Sequence, residues 1–403
     1  MIRLKQFGSR QPHLLTLVLM IFIIVPTNFA YSQSANEMAM LTMFYTEADL
    51  VTTPTRSPKL ITETAENISV VSSDQIEQMH YRTLPEALTN VAGLHVDVRN
   101  PWVSLVYIQG NIQERSTLRL DGISMNLISS NAADFGMLPV KNLSSIEAVK
   151  GPASSAWGSA LGGTINLITK PAGTASESSN SVSASFGQKR TRHYTAETQG
   201  HTGKTGYYLY AGHLKSEGFK TNTEIDKTTA YGKIRHELSR STNIELTLGI
   251  LRADKGQGEA PLTLAPGLAF TFVFKDDSEY ILSTLTLNHE ITNDTEVSLS
   301  LRGIRKDFQQ ITDLKSGGEY RNLVEQDREL GGSAIFRTKK GNHRITAGLD
   351  YDRKKIKNYN DEIRNSMLLS VLSDRTGTIN STLRNLADDL QKAESAWHEA
   401  NAM

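Results

Sequence analysis

The stretch at residues 146–170, IEAVKGPASSAWGSALGGTINLITK, restricts the fold of this chain more than any other. It reads as strand, turn, short helix, turn, strand. Ile146, Ala148 and Lys150 alternate with Glu147 and Val149, a short period of two. Gly151 accepts a strained φ and Pro152 fixes its own, so the pair stops the strand. Pro152 then suits the first turn of a short helix over 154–157. Gly158, Gly162 and Gly163 are further breaks. The run Thr164, Ile165, Asn166, Leu167, Ile168, Thr169 resumes a strand. Each glycine taken singly fits a turn in any α/β domain. The ordered string as a whole is far more specific.

The N-terminus bounds where the chain can go. Arg3, Lys5 and Arg10 precede an apolar run over 14–25 and an Ala30-Tyr31-Ser32 cleavage pattern. That run is too short to span a bilayer, which takes about 20 apolar residues. Residues 1–32 are therefore expected to be a cleaved signal peptide. No later stretch approaches a spanning length. A mature chain in a membrane must then sit there as a β-barrel. Basic and acidic residues balance at 43 each, and no basic-aromatic module favours nucleic acid. Cysteine is absent, which excludes disulfides, thiolate metal sites and a cysteine nucleophile.

Residues 33–60 have neither helical nor strand period and read as an extended tail. Within it Asp49, Leu50, Val51, Thr52 and Thr53 are β-prone, then blocked by Pro54 and Pro58. A short isolated strand has free backbone donors and acceptors for pairing with a partner sheet. The alternative is a solvated linker.

Residues 61–172 read as a compact α+β domain. A strand over 68–71 leads to Ser72 and Gln75, which have capping-box spacing for a helix reaching Met79. Thr83 and Glu86 repeat the spacing, with Pro85 in the first turn and Gly93 expected to end the helix. Strands follow over 94–98, 105–108 and 117–120, the last turning at Asp121 and Gly122.

The segment resembles the plug domain of TonB-dependent outer-membrane receptors. The resemblance is carried by Glu147, Lys150, Gly151, Pro152, Gly158, Gly162 and Gly163 in their order, by LPEALTNVAGLHV, and by LRLDGISMN with Asp121 and Gly122. The chain departs from the family pattern at Ala92-Gly93, Gln109-Gly110 and Arg119. The resemblance implies that residues 49–53 are a TonB box, the segment that an energy-transducing partner, TonB, engages. It also implies that the loop at 126–137 is apical and faces a ligand. The candidate contacts are Asn126, Leu127, Ser130, Asn131, Asp134 and Phe135, in a pattern similar to vitamin B12 receptors.

A Ser-rich linker follows, and residues 178–360 then alternate repeatedly. Val182, Ala184 and Phe186 share one face. So do Ile244, Leu246, Leu248 and Ile250; Val297, Leu299 and Leu301; and Ile345, Ala347, Leu349 and Tyr351. One apolar and one polar face, on strands of about ten residues, is what a lipid-embedded barrel requires. Tyr207, Tyr208 and Tyr210 are placed in an aromatic girdle. Tight turns at 239–242 and 340–343 alternate with long connections, so 255–267 is expected to be an extracellular loop. The expected count is about nine strands, against about 22 in barrels that hold a plug. From Met367 the apolar period turns helical, giving an atypical helical tail over 361–403. A truncated or frame-altered chain is expected on that basis.

No H-E-x-x-H, Walker A or G-x-S-x-G string occurs, and no catalytic or metal constellation is found. Asp276, Asp277 and Glu279 could gather a calcium ion but more simply form a solvated cluster. The expected architecture is an α+β plug domain, then an incomplete transmembrane antiparallel β-barrel with a helical C-terminal tail. The expected function, implied by the resemblance, is import of a scarce metal chelate, a ferric siderophore or cobalamin. It needs no cofactor, and its partners are TonB, the chelate and outer-membrane lipid. The alternative is a soluble periplasmic binding protein with a plug-like domain and a coiled-coil tail.

Overall fold

The structure, a computed structural model, describes residues 50–53, 59–152, 160–174, 178–265, 268–315, 319–341 and 343–363. The helix expected over 154–157, Gly158, Asp49 and the signal peptide lie outside these residues, as does the expected helical tail beyond Ile363; its first residues, 361–363, are strand.

The N-terminal part is built from short elements. Strands β1 (Leu50–Val51) and β2 (Lys59–Leu60) form a small antiparallel pair. Strand β3 (Asn67–Ser72) leads into helix α1 (Ser73–Gln78), and helix α2 (Leu84–Thr89) follows. Both helices start at complete capping boxes, Ser72 with Gln75 and Thr83 with Glu86. These side chains satisfy backbone donors that a short helix otherwise leaves unpaired. Helix α2 stops at Thr89, earlier than Gly93, because Asn90 caps it. Gly93 instead makes the left-handed turn, φ +85°, into β4 (Leu94–Asn100).

Strand β4 pairs with β5 (Val103–Ile108) as a separate hairpin. Strands β6 (Ser116–Leu120), β7 (Ile123–Ser124), β8 (Leu143–Lys150) and β9 (Gly163–Thr169) join β3 in a sheet of order β3-β8-β9-β6-β7. Asp121 and Gly122, at φ +47° and +81°, make the tight turn between β6 and β7. One sheet face carries Val71, Ile146, Ala148, Ile165, Leu167, Leu118 and Leu120 into the core with Ile76, Leu84 and Leu88.

The C-terminal part is one antiparallel sheet of nine strands in sequence order. They are β10 (Ser179–Phe186), β11 (Arg192–Thr202), β12 (Thr205–Ser216), β13 (Ile225–Ser239), β14 (Thr242–Ala265), β15 (Leu268–Thr292), β16 (Thr295–Leu314), β17 (Glu319–Lys340) and β18 (His343–Ile363). The sheet is a wall with two faces. Its inner face packs Tyr208, Tyr210, Tyr231, Tyr280, Leu282 and Ile304 into the same core as the plug. Tyr208 and Tyr210 are therefore not girdle residues. They share one parity on β12 and point at the plug, whereas Tyr207 has the other parity.

The outer face is an exposed apolar band, with Leu301, Leu330 and Leu349 at 63%, 65% and 75% exposure. The band slants across the hydrogen-bonded rows. Ala230, Ile250 and Ile281 share a row with Arg305, Arg328 and Lys355. One row towards the short turns, Gly232, Leu248, Ser283, Gly303 and Leu330 lead to Arg353. The change from apolar to charged thus descends along successive strands. A level lipid boundary crossing tilted strands produces this pattern.

Residues 255–265 are strand rather than loop. Beyond Lys255, β14 continues as a ladder with β15 up to Ala265↔Leu268, bulged at Gly256–Gly258. Strand β13 starts only at Ile225, opposite Lys255; beyond it the Glu224 carbonyl and the Asn222 amide reach Gly256 and Gly258, and from Glu259 no described strand pairs with that edge of β14. Pro261 is tolerated there because no ladder bond is lost on that side.

Among the described glycines of residues 146–170, Gly151, Gly162 and Gly163 have plug residues as their nearest neighbours. A Cβ on Gly163, at φ +133°, would lie 2.4 Å from the Val149 carbonyl of the neighbouring plug strand. A glycine one segment later does meet the wall. Gly173 donates its N–H to the Tyr207 carbonyl at 3.1 Å, and a Cβ on Gly206 would lie 2.1 Å from the Gly173 carbonyl.

Candidate functional site

Three places tie the plug to its surroundings. The first is the second face of the plug sheet, where Glu147 and Asn166 are cross-strand partners on β8 and β9. Both are buried. The Thr52 N–H donates to both Glu147 carboxylate oxygens at 2.9 and 3.1 Å, and its hydroxyl donates at 3.0 Å. The Thr53 N–H donates to Glu147 Oε2 at 2.7 Å, and Asn166 Nδ2 donates to Thr53 Oγ1 at 3.1 Å. Val51 and Thr53 are fully buried. The segment expected to couple to a partner is thus docked on the plug by its own backbone donors.

The second place is Asp121 in the β6–β7 turn. It accepts from the Thr169 N–H at 3.0 Å, the Thr169 hydroxyl at 2.7 Å and the Tyr231 hydroxyl. Lys233 Nζ lies 3.2 Å away. Burial raises the carboxyl's pKa, but Lys233 and these donors outweigh it and hold it below the usual carboxylate value. Asp121 thus joins β9 of the plug to β13 of the wall.

The third place is the loop after β7. Ile128 N–H donates to Asp327 Oδ2 at 2.8 Å and Ser129 N–H to Glu325 Oε1 at 3.0 Å. Lys306 Nζ donates to the Asn126 carbonyl and pairs with Glu329. Lys255 pairs with Asp134 at 2.6 Å, and Lys227 Nζ donates to the Gly136 carbonyl at 3.1 Å. Period two puts Lys227, Lys255, Lys306, Glu325 and Asp327 all on the inner face. Nothing in the linear sequence marks them as partners of one loop.

The candidate contact residues of this loop separate into two sets. Asn126 is buried and braces the loop, accepting from Leu118 N–H at 2.9 Å and donating to the Ser116 carbonyl at 3.0 Å. Leu127 and Phe135 are buried, and Asp134 is taken by Lys255. Asn131 is exposed and Ser130 half-buried. Of the remaining motif residues, Lys150 Nζ donates to Ser69 Oγ at 2.8 Å and the Ala92 carbonyl at 2.9 Å. Gly151 adopts φ +92° and Pro152 is exposed.

Asp276, Asp277 and Glu279 do not form a cluster. Asp276 is buried on the inner face, taking Gln257 and Gln310, whereas Asp277 and Glu279 have the outer parity. Among the described residues no group of three His, Cys, Asp or Glu side chains could hold a metal ion, and no helix is long and apolar enough to cross a membrane.

The chain thus joins a small α+β domain to the inner face of an antiparallel wall whose outer face is apolar. Comparison with known proteins agrees. Residues 61–164 match the TonB-dependent receptor plug domain, and through this domain the chain is a relative of the TonB-dependent receptors. The vitamin B12 transporter BtuB of Vibrio vulnificus is 21% identical over 239 residues, 57% of this chain and 37% of that protein. BtuB of Vibrio cholerae is 30% identical over 142 residues, 34% of this chain and 23% of that protein. The ferric-catecholate import receptor Fiu of E. coli K12 superposes with a TM-score of 0.60 at 17% identity, covering 77% of this chain and 53% of Fiu. The siderophore receptor PiuA of Acinetobacter baumannii gives 0.60 at 19% identity, covering 76% and 49%. The chain therefore spans about half or less of these relatives' length. All are transporters or receptors rather than enzymes.

Proposed function

We propose that this chain acts in the outer membrane as the plug and adjoining wall of a TonB-dependent receptor for a scarce metal chelate, a ferric siderophore or cobalamin. The observation that carries this reading is the docking of the Leu50–Thr53 segment on Glu147 and Asn166, beneath a plug seated against the wall. A signal peptide at residues 1–32 would direct export, with cleavage after it. A TonB partner in the periplasm would then engage Asp49, Leu50, Val51, Thr52 and Thr53 by strand addition, drawing work across a membrane that holds no ATP. Ligand seated on Ser130 and Asn131 would lower the cost of undocking that segment. B12 and siderophore relatives both match, so the chelate class is left at that breadth.

The test is uptake of radiolabelled cyanocobalamin and ferric catecholate by cells lacking their own receptors and expressing this chain. Deletion of residues 50–53 is expected to abolish uptake while surface binding persists. Unchanged uptake would overturn the coupling role of the segment. Recovery of the chain in the soluble periplasmic fraction would overturn the membrane reading.

A further inference from the structure

We infer that the seam between plug and wall holds a small inorganic anion, of the size and charge of chloride, gathered by Arg82, Lys141, His193, Tyr210 and Lys227. The plug side of the seam is formed by Arg82, between α1 and α2, and by Val140 and Lys141 just before β8. The wall side is formed by His193 of β11, Tyr210 of β12 and Lys227 of β13. Such an ion would seat the plug on the wall whatever the cargo of the receptor.

Basic groups face one another across this seam. The charges acting on His193 come from Lys227, Lys141, Arg82 and His213, and no carboxylate lines the crevice among them. Arg82, Lys141 and His193 make no side-chain hydrogen bond or ion pair among the described residues. Glu86 is near Arg82, but its carboxylate accepts the Arg82 backbone N–H at 2.7 Å and closes the capping box of α2. Lys227 is buried and donates to the Gly136 carbonyl at 3.1 Å, which satisfies a donor but supplies no negative charge. Asp134, the acid that acts on Lys227, is held by Lys255 at 2.6 Å. His213 borders the crevice but has the outer parity of β12, where its Nδ1 lies 3.0 Å from Thr228 Oγ1.

A second observation points into the same space. Tyr210 is 5% exposed, and its hydroxyl has no hydrogen-bond partner among the described residues. That hydroxyl lies over Gly212, where a Cβ would be 2.7 Å from it, and Gly212 lines the crevice. A buried O–H donor without an acceptor is costly, and so are like charges gathered away from water. One anion answers both. The free space is about 10 Å³, the room of a single water-sized centre. A monatomic anion suits it, whereas a phosphate or a carboxylate arm of a cargo needs more. Arg82 is exposed and Lys141 half-buried, so both can turn onto the ion from the plug side.

Crystals of the full chain, folded in neutral detergent, are soaked in sodium bromide, and the ion is located by its anomalous scattering. A peak in contact with Lys227 Nζ and Tyr210 Oη is expected. In solution, urea unfolding is followed at one ionic strength in sodium chloride, sodium gluconate and sodium acetate. Screening acts alike in all three, so a difference between them reports a site. Chloride is expected to raise the folded-to-unfolded ratio about tenfold at roughly ten times its dissociation constant, and gluconate and acetate to leave it unchanged. Arg82→Gln with Lys141→Gln is expected to abolish the chloride effect and, by relieving the repulsion, to leave the chain no less stable in gluconate. A chain that folds without detergent is measured in the same way, so the outcome does not depend on the membrane reading. No bromide at this place, equal stabilisation by gluconate, or a chloride effect kept in full by the double variant overturns the site. Stabilisation by acetate equal to that by chloride overturns the inorganic ion in favour of a carboxylate arm.

Discussion

Glu147 receives the backbone N–H of Thr53 at 2.7 Å, and the two residues are 94 positions apart in the chain. The carboxylate is buried, and the N–H and hydroxyl of Thr52 also reach it. Hydrogen bonds to a charged acceptor contribute about 1.5–3 kcal/mol each, against about 0.5–1.5 for neutral ones. Glu147→Gln keeps the shape and removes the charge. The chain has no cysteine, so a Thr52→Cys thiol reports undocking cleanly. Maleimide labelling of that thiol is expected to be slow in the parent and roughly five- to tenfold faster with Glu147→Gln, about 1–1.4 kcal/mol. Asn166→Ala, which removes the donor to Thr53, is expected to act in the same direction by less. Equal labelling rates would show that Glu147 does not hold the segment.

Asp121 is the corresponding fastener between plug and wall. Its pKa in the folded chain lies below the unfolded value, so the sign of the linkage is fixed. Its contribution is present above the unfolded carboxylate pKa of about 3.9. It is lost as pH falls through the lower, folded value. Asp121→Asn leaves Lys233 buried with only neutral partners, and breaking one side of such a pair typically costs about 3–5 kcal/mol. Urea unfolding in detergent is expected to show that loss at neutral pH. The difference between parent and variant is expected to shrink as pH drops below about 4. A gap constant down to pH 2 would exclude Asp121 as the titrating group.

Gly163 and Gly203 separate backbone strain from packing. Both have positive φ, +133° and +61°, but a Cβ meets the Val149 carbonyl at 2.4 Å on the first and nothing within 4 Å on the second. Gly163→Ala must move β8 from β9 as well as accept a disfavoured φ, and is expected to cost about 2–3 kcal/mol in unfolding. Gly203→Ala, at an exposed turn, is expected to cost about 1 kcal/mol. Similar costs at the two sites would mean that the strand pair yields to the extra methyl.

Much of this arrangement was legible from local pattern. Capping boxes at Ser72 and Thr83, the Asp121–Gly122 turn and the period of two in β14 each depend on residues close in sequence. Local pattern misled where long-range pairing decides the outcome. Residues 255–265 are polar and glycine-rich, yet they form strand because β15 supplies a complete partner. The tyrosines of β12 look like girdle residues until parity and the half-buried Glu197 partner of Tyr208 turn two of them inward. The docking of Thr53 on Glu147 and the grip of Glu325 on Ser129 were not legible. They join segments about 94 and 196 residues apart whose charges, read singly, resemble ordinary surface residues.

That grip leads to a prediction for the apical loop. Asn126, Leu127 and Phe135 are committed to bracing and packing, and Asp134 to Lys255. Ser130 and Asn131 are the candidate residues nearest solvent at the apex, Asn131 exposed at φ +53°; Asn131 Nδ2 donates to the Glu114 carbonyl, and Ser130 Oγ accepts from the Ala132 N–H. Ser130→Ala with Asn131→Gly keeps the left-handed turn and removes both polar groups. If the loop receives the chelate, binding of cyanocobalamin or a ferric catecholate is expected to weaken about tenfold, the loss of one or two hydrogen bonds to it, while stability falls by only about 0.5–1.5 kcal/mol for the loop bonds removed. Asn126→Ala is expected to do the opposite, lowering stability by about 1–3 kcal/mol because Leu118 N–H loses its acceptor inside the plug. A double variant that binds like the parent would move the contact surface from the plug apex to the wall.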